Sequence, residues 1–202
     1  MSLVHRKRII PVLLIHQGGL IKSKKYKDYS YVGDPINAVR IFNEKEVDEI
    51  IILDIDASKN GIEPNYDIIS DITGEAFMPL AYGGGITNIS QAEKLFFNGI
   101  EKLVLNTVLH QSQGNQFVKQ ISSQYGSQSI VASMDVKYNL WGKPNVYSHA
   151  NVKIRISDPL DFAKYTEDLG VGELFLNIVN RDGTYEGYDL DLLQKIADGV
   201  SI

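Results

Sequence analysis

The stretch "GDPINAVRIFNEKEVDEIIILDID" (Gly33–Asp56) holds a helix signal followed by a strand signal. Asp34-Pro35 places an acidic residue before a proline, which is the pattern of a helix N-terminus. Apolar residues then recur at helical spacing, at Ile36, Val39 and Phe42. The run from Glu49 to Ile55 is almost continuously apolar, as in a parallel strand covered on both faces. The stretch is therefore predicted to form one helix–strand unit of an α/β protein.

The same unit recurs further along the chain. Asp34-Pro35 and Asp158-Pro159 are offset by 158 − 34 = 124 residues, and Glu49 and Glu173, each opening an apolar run, by 173 − 49 = 124. Two landmarks with one offset predict duplicated halves of four βα units each. Eight such units close into a (β/α)8 TIM barrel. A doubly wound sheet is the competing architecture, but it gives no reason for the repeat.

Six strands are predicted, at Arg8–Ile15, Glu49–Ile55, Met78–Tyr82, Lys102–Asn106, Ile130–Val136 and Glu173–Val179. The repeat of "YGGG" (Tyr82–Gly85) would fall near position 83 + 124 = 207, beyond Ile202. A full barrel typically needs about 250 residues. We therefore expect residues 1–202 to be one barrel domain that stops at the start of strand seven. Its first half would span about 6–125, and its second half would begin near 126.

Composition argues against several kinds of binding partner and of site. The 202-residue chain has a net charge of −5, which argues against a nucleic-acid partner. It has no cysteine, so disulfides and thiolate metal sites are excluded, and a cytoplasmic location is expected. It contains no apolar run of membrane-spanning length and no signal-peptide core, so no membrane partner is expected.

Two glycine-containing motifs follow predicted strands. Gly83-Gly84-Gly85 and, after the next strand, Asn106-Thr107 would lie side by side, where backbone amides and a hydroxyl can hold a phosphate. Asp182-Gly183-Thr184 after the sixth strand could form a second anion site. Tight turns with no ligand are the alternative interpretation. The segment "YKDYSYVGD" (Tyr26–Asp34) is expected to be a mobile loop over this end.

Seven blocks of sequence together resemble one known family. They are "KRIIPVLLI", "GDPINAV", "VDEIIILDIDAS", "YGGGI", "EKLVLNT", "SQSIVASMDVK" and "GVGELFLNIVNRDGTYEGYD". From about residue 6 to the end, the chain resembles the cyclase subunit of imidazole glycerol phosphate synthase, HisF. The resemblance implies a (β/α)8 barrel that forms a heterodimer with a glutaminase. Ammonia would cross the barrel to a substrate carrying two phosphates, and neither a cofactor nor a metal is implied.

The resemblance also implies catalytic residues. In that family two aspartates, on strands one and five, exchange protons during ring closure. Asp135 matches the strand-five position, whereas Leu14 stands at the strand-one position, and leucine has no proton to exchange. Lys22 matches the family's loop lysine. His16, two positions beyond Leu14, could lie on the same face of the strand and act as a substitute.

Charged residues open several predicted strands. Arg8, Glu49, Lys102 and Glu173 match the charged gate through which the family is thought to admit ammonia, and they are expected to close a ring around the barrel axis. Solvated strand ends are the alternative. Glu101 matches an acidic residue that docks on the glutaminase. For the top of the barrel, Asp54, Asp56 and Asp135 could suggest a metal site, but no histidine-rich spacing supports one.

Three functions remain open at this point. The first is a HisF-like subunit that uses glutaminase-derived ammonia on a different phosphorylated acceptor, as in amidino-sugar synthesis for surface polysaccharide. The second is an authentic cyclase of histidine biosynthesis that tolerates Leu14. The third is a non-catalytic subunit that activates a glutaminase and passes ammonia onward. Asp135 favours an enzyme over a conduit, because an acid at the mouth would otherwise have no partner.

Overall fold

A computed structural model describes residues 7–150 and 152–202. Within them the strands are β1 Val12–His16, β2 Gly19–Lys24, β3 Lys27–Gly33, β4 Ile50–Asp54, β5 Leu80–Gly83, β6 Lys102–Leu105, β7 Ile130–Tyr138, β8 Pro144–Tyr147 and β9 Glu173–Ile178. The helices are α1 Pro35–Glu44, α2 Ala57–Asn60, α3 Tyr66–Glu75, α4 Ile89–Phe97, α5 Gly114–Tyr125, α6 Pro159–Asp168 and α7 Leu190–Ala197.

Six strands form a parallel sheet in chain order, β1-β4-β5-β6-β7-β9. The sheet curls as in a TIM barrel, with helices packed on its outer face. All six predicted strands are confirmed, although β1 and β5 begin later than their apolar runs do. The assignment of the first half to about 6–125 and the second to residues from about 126 stays a prediction.

One prediction about local structure is wrong. The segment Tyr26–Asp34, expected to be a mobile loop, is largely strand β3, which pairs antiparallel with β2. β2 in turn pairs antiparallel with the end of β1. A second antiparallel hairpin joins β7 to β8. Both hairpins extend from the same end of the parallel sheet, because each follows the C-terminal end of its parallel strand.

Local capping explains where the repeated helices start. The Asp34 carboxylate accepts a hydrogen bond from the backbone N–H of Asn37 at 3.0 Å, and Pro35 is the first residue of α1. In α6, the Asp158 carboxylate accepts from the N–H of Leu160 at 2.9 Å. These bonds satisfy donors that a helix N-terminus otherwise leaves free. The acid–proline pattern is thus confirmed at both sites.

Alternation along the strands separates two apolar layers. An inner cluster fills the space enclosed by the sheet, with Ile51, Ala81, Val104 and Val131 at its centre. An outer cluster packs the opposite strand faces against the helices, for example Ile50, Leu103, Ile130 and Phe162. The central parallel strands β4 to β7 therefore bury both faces, which accounts for the continuous apolar runs in their sequence. Among the described residues, no helix is long and apolar enough to span a bilayer.

Replacing Asp158 by alanine tests the capping account. The variant Asp158→Ala loses the bond to the Leu160 N–H, so its free energy of unfolding should fall by about 1 kcal/mol. Urea titration measures the change. The matched control is Asp168→Ala, which removes the same charge from the other end of α6, where the side chain is exposed. Equal losses in the two variants would contradict the account.

Candidate active site

A cavity of about 570 Å³ opens where the parallel strands end. In TIM barrels this C-terminal end of the strands is the place where active sites lie. Every parallel strand or the loop after it contributes lining residues, among them Leu14, His16, Asp54, Asn106, Asp135 and Asn177. Polar groups from distant parts of the chain therefore converge on one apolar-walled space, as a ligand site requires.

Strand β1 presents hydrocarbon where an acid would be expected. Val12, Leu14 and His16 line the cavity, while Ile15 packs into the outer core. This alternation is the period of two expected of a strand. Leu14 therefore faces the lumen, and it contributes no group that can accept or release a proton.

Two side chains donate hydrogen bonds to Asp135 on β7, and a third donates to one of them. The Tyr26 hydroxyl donates to Asp135 Oδ1 at 2.7 Å, and the Asn106 amide donates to Oδ2 at 3.2 Å. The Asn177 amide donates to the Tyr26 hydroxyl. Burial raises the pKa of Asp135 to about 6, against the opposing effect of the Tyr26 hydrogen bond and of the nearby His149. A carboxyl group that titrates near neutral pH suits general acid–base chemistry.

Strand β5 ends in the glycine turn predicted as a phosphate site. Gly84 has φ of +130°, and a Cβ there would lie 2.5 Å from the Asp54 carbonyl oxygen, so only glycine fits. The Gly85 N–H donates to the Ser58 hydroxyl at 3.1 Å. Both glycines and the neighbouring Thr107 line the cavity. The geometry gives backbone amides a place next to the cavity, and phosphate binding by them stays a prediction.

Two other predicted phosphate residues have partners within the protein. The Asn106 amide donates to the Ser133 carbonyl oxygen at 3.0 Å as well as to Asp135. The Asp182 carboxylate accepts from the Ser23 hydroxyl at 2.7 Å. Gly183, unlike Asp182, is not among the described residues that line the cavity. These contacts orient the site, and anion binding by Asn106 or Asp182 stays a prediction, as it does for the glycine turn.

His16 forms a pair with an aspartate at the rim of the cavity. Its Nδ1 lies 2.8 Å from Asp56 Oδ1, and the Gln17 N–H donates to Asp56 Oδ2 at 2.8 Å. The His16 ring also lies 5.0 Å from the Tyr29 ring, measured between centroids. The structure therefore places His16 on the same face as Leu14, as predicted, but pairs it with Asp56 and not with Asp135.

Lys22 lies apart from these groups. It is on β2 with an exposed side chain, and it is not among the described residues that line the cavity. Tyr26, Asn177 and Ser58, which the sequence did not single out as site residues, do line it. The described residues contain no group of three or more histidine, aspartate or glutamate side chains placed to hold a metal ion.

At the opposite end of the sheet, four side chains form a closed charged ring, Arg8, Glu49, Lys102 and Glu173. Lys102 Nζ lies 2.6 Å from Glu49 and 2.9 Å from Glu173. Arg8 lies 2.9 Å from Glu49 and completes the circuit to Glu173. Only 3% of Glu49 is exposed, so its charge is stable only because both cations compensate it. The structure thus brings together the four residues predicted to meet, and their role as a gate stays a prediction.

Apolar side chains separate the ring from Asp135. Glu173 and Asn177 are four residues apart on β9, and Asn177 is level with Asp135 in the pairing with β7. At about 3.3 Å per residue, the two levels are about 13 Å apart. The inner apolar cluster occupies this interval. The interval between the ring and Asp135 is therefore filled by hydrocarbon side chains, and passage of a small uncharged molecule through it stays a prediction.

Exposed apolar residues lie beside the charged ring. Phe77 precedes β5 and Phe97 ends α4, and their exposed fractions are 91% and 92%. Ile9, next to Arg8, is 69% exposed. Glu101, predicted to dock a partner, is exposed immediately before Lys102. These positions give the N-terminal end of the sheet a mixed apolar and acidic surface.

Comparison with known proteins assigns the family. Residues 8–202 match the family described as histidine biosynthesis protein. A Pseudomonas aeruginosa protein provisionally named imidazole glycerol phosphate synthase subunit hisF2 is 47% identical over 98% of this chain and 78% of its own length. A Vibrio vulnificus protein with the provisional name imidazole glycerol phosphate synthase subunit hisF3 is 44% identical, with coverages of 98% and 75%.

The chain is also similar to a protein that is named HisF without qualification. The imidazole glycerol phosphate synthase subunit HisF of Exiguobacterium sibiricum is 33% identical over 97% of this chain and 78% of its own length. The identity to the hisF2 and hisF3 proteins is higher, at 47% and 44%. The chain therefore belongs to the histidine biosynthesis protein family, as a HisF-like subunit.

Proposed function

We propose that this protein is the synthase subunit of a two-protein glutamine amidotransferase. A glutaminase binds its N-terminal face and releases ammonia into the charged ring. Ammonia crosses the apolar lumen and reacts at the mouth with a phosphorylated acceptor other than the histidine-pathway substrate. The single observation that carries the proposal is that Asp135 is present while Leu14 faces the same cavity. The cytoplasmic location predicted from the sequence forms part of the proposal.

The charged ring supports entry of ammonia from this end. Ammonia is small and neutral, so the charges of the ion pairs do not repel it and it can pass the constriction that they form. Beyond the ring, the apolar walls disfavour ammonium and other ions, because a charge in such surroundings is poorly solvated. The exposed Phe77, Phe97 and Ile9 around the ring provide the apolar surface that a docked glutaminase would cover.

Leu14 supports a changed acceptor. A placed general acid or base typically contributes about 10²–10⁴-fold to a reaction rate. A protein that cyclises the histidine-pathway substrate with two aspartates would lose that factor with leucine on strand one. The more similar relatives carry the names hisF2 and hisF3, which fits a paralogue beside an ordinary HisF. An acetamido sugar carried on a nucleotide is our choice of acceptor, since ammonia converts its amide into an amidine. The carbonyl oxygen leaves as water or, where ATP activates the carbonyl, as phosphate.

Authentic cyclase activity is the second candidate. The glycine turn and Asp135 are retained, and the HisF of E. sibiricum is 33% identical to this chain. Against it stands the hydrocarbon at Leu14. A direct assay of the cyclase substrate separates the two candidates.

The function test combines ammonium chloride with the histidine-pathway substrate. We expect the wild-type protein to form imidazole glycerol phosphate at a rate near background, because only one of the family's two catalytic aspartate positions, Asp135, holds a carboxylate. The variant Leu14→Asp should gain turnover of about 10²-fold or more, since it restores the second acid in a lumen-facing position. Product is measured by chromatography. The control Leu13→Asp places the same acid on the opposite face of β1, where it should give no such gain. Rapid turnover by the wild type would overturn the proposal.

The ring test compares two nitrogen sources. Lys102→Met breaks the circuit between Glu49 and Glu173. The assay uses the complex with the glutaminase and a UDP-activated acetamido sugar, with and without ATP. With glutamine as the nitrogen source, turnover by the variant should fall roughly tenfold, which corresponds to a barrier to ammonia transfer higher by about 1.4 kcal/mol. With ammonium chloride, which can enter from the mouth, the rate should stay within about twofold.

The matched control for this test is Lys119→Met, because Lys119 is an exposed lysine on α5 away from the ring. Its rates should match those of the wild type with both nitrogen sources. If Lys102→Met lowers the two rates equally, the ring has no role in delivering ammonia.

A further inference from the structure

The turn between β2 and β3 adopts an uncommon backbone conformation. Its two central residues, Lys25 and Tyr26, have φ of 55° and 59°. This turn matches the twist of a β-hairpin, but glycine or asparagine normally occupies it. For a residue with a larger side chain, this conformation costs about 1–2 kcal/mol. Contacts elsewhere must therefore hold the turn in place.

Asp182, in the loop after β9, supplies those contacts. Its carboxylate accepts from the Tyr26 N–H at 3.0 Å and from the Ser23 hydroxyl at 2.7 Å. Its carbonyl oxygen accepts from the Lys25 N–H at 2.9 Å. A Cβ on Gly183 would collide with the Ser23 carbonyl oxygen, so glycine permits the close approach. The hairpin is therefore fixed across the mouth of the cavity.

The docked turn carries the Tyr26 side chain into the site. Its hydroxyl donates to Asp135 Oδ1 and accepts from the Asn177 amide. The other oxygen of Asp135 accepts from Asn106. A phenol oxygen has two lone pairs. One accepts from Asn177, so the other can accept a hydrogen bond from a molecule bound in the cavity. A group in the cavity therefore reaches Asp135 Oδ1 through Tyr26.

We propose that Tyr26 is the second proton-transfer group of the site and works in relay with Asp135. It takes the role that Leu14, which has no proton to exchange, cannot fill. A proton from the acceptor or the incoming ammonia moves to the Tyr26 oxygen while the phenol proton moves to Asp135 Oδ1. The reverse transfer delivers a proton to the acceptor's carbonyl oxygen, which departs as water once ammonia has given up two protons and the C–N bond has replaced the C–O bond. Within the relay itself only bonds to hydrogen change, and the total number of protons is conserved. The inference rests on the proposed function.

His16 is a weaker candidate for the same role. Its Nδ1 is engaged by Asp56, and the hydrogen bonds of the described residues do not connect it to Asp135. The charged or titratable groups that face Tyr26 are Asp135, Asp182 and His149, whose ring centroid lies 5.3 Å from that of Tyr26. The Tyr26–Asp135 pair is therefore the contact in which a proton can move over a single hydrogen bond.

A titration of the Asp135 carboxyl carbon tests the contact without any acceptor. By carbon-13 NMR, the wild-type midpoint should lie at about 6. Tyr26→Phe removes a donor to the charged form, so the midpoint should rise by roughly half a pH unit or more. Asp182→Asn, which loosens the turn but keeps the phenol, should shift the midpoint in the same direction. The control is Tyr31→Phe on the same hairpin, 74% exposed, which should leave the midpoint unchanged.

Turnover tests the relay itself. With ammonium chloride and the UDP-activated acetamido sugar, Tyr26→Phe should lower kcat by about 10²-fold or more and leave KM within about threefold. An unchanged midpoint in both variants overturns the inference at its structural basis. A shifted midpoint with wild-type kcat overturns the relay alone. A wild-type protein inactive with ammonium overturns the proposed function and the relay with it, whatever the midpoints.

Discussion

The direction of the parallel strands is the constraint on which the rest of the structure depends. Because six strands run the same way, all their first residues meet at one end and all their last residues at the other. Arg8, Glu49, Lys102 and Glu173 can therefore form a closed circuit of ion pairs. The same rule collects the glycine turn and Asp135 about 13 Å away at the mouth. One topology therefore places a ring of ion pairs at one end of the sheet and a polar cavity at the other, with apolar side chains between them.

The two ends differ in how far they depart from the family pattern. At the entrance, the buried Glu49 carboxylate needs both of its cations, so the loss of either would leave a charge uncompensated. At the mouth, Leu14 needs no partner, and nothing in its packing penalises the absence of an acid. A substitution at the mouth can therefore leave the ion pairs of the ring intact. Tyr26, held by Asp182, shows how a neighbouring hairpin can bring another protic group to Asp135.

Much of this architecture could be predicted from local sequence signals. The acid–proline caps mark α1 and α6, and the apolar runs mark the parallel strands. The resemblance, which puts Leu14 at the position of the family's strand-one aspartate, predicts that Leu14 faces the lumen. The Tyr26–Asp135 bond could not be predicted, because it joins residues 109 apart through a turn that lacks the usual glycine or asparagine. The same turn, without the usual glycine or asparagine, hides the hairpin, so the sequence predicts a loop where β3 lies. Lys22, assigned to the site by resemblance, lies outside the cavity lining.

The central claim is that nitrogen travels inside the protein from the ring to the mouth. The complex with the glutaminase can be given glutamine labelled with nitrogen-15 at the side-chain amide, together with unlabelled ammonium in the medium. Mass spectrometry of the product formed from the UDP-activated acetamido sugar then measures which nitrogen was used. We expect the labelled product to predominate even when ammonium is in excess. Label diluted to the proportion present in the medium would contradict passage through the lumen.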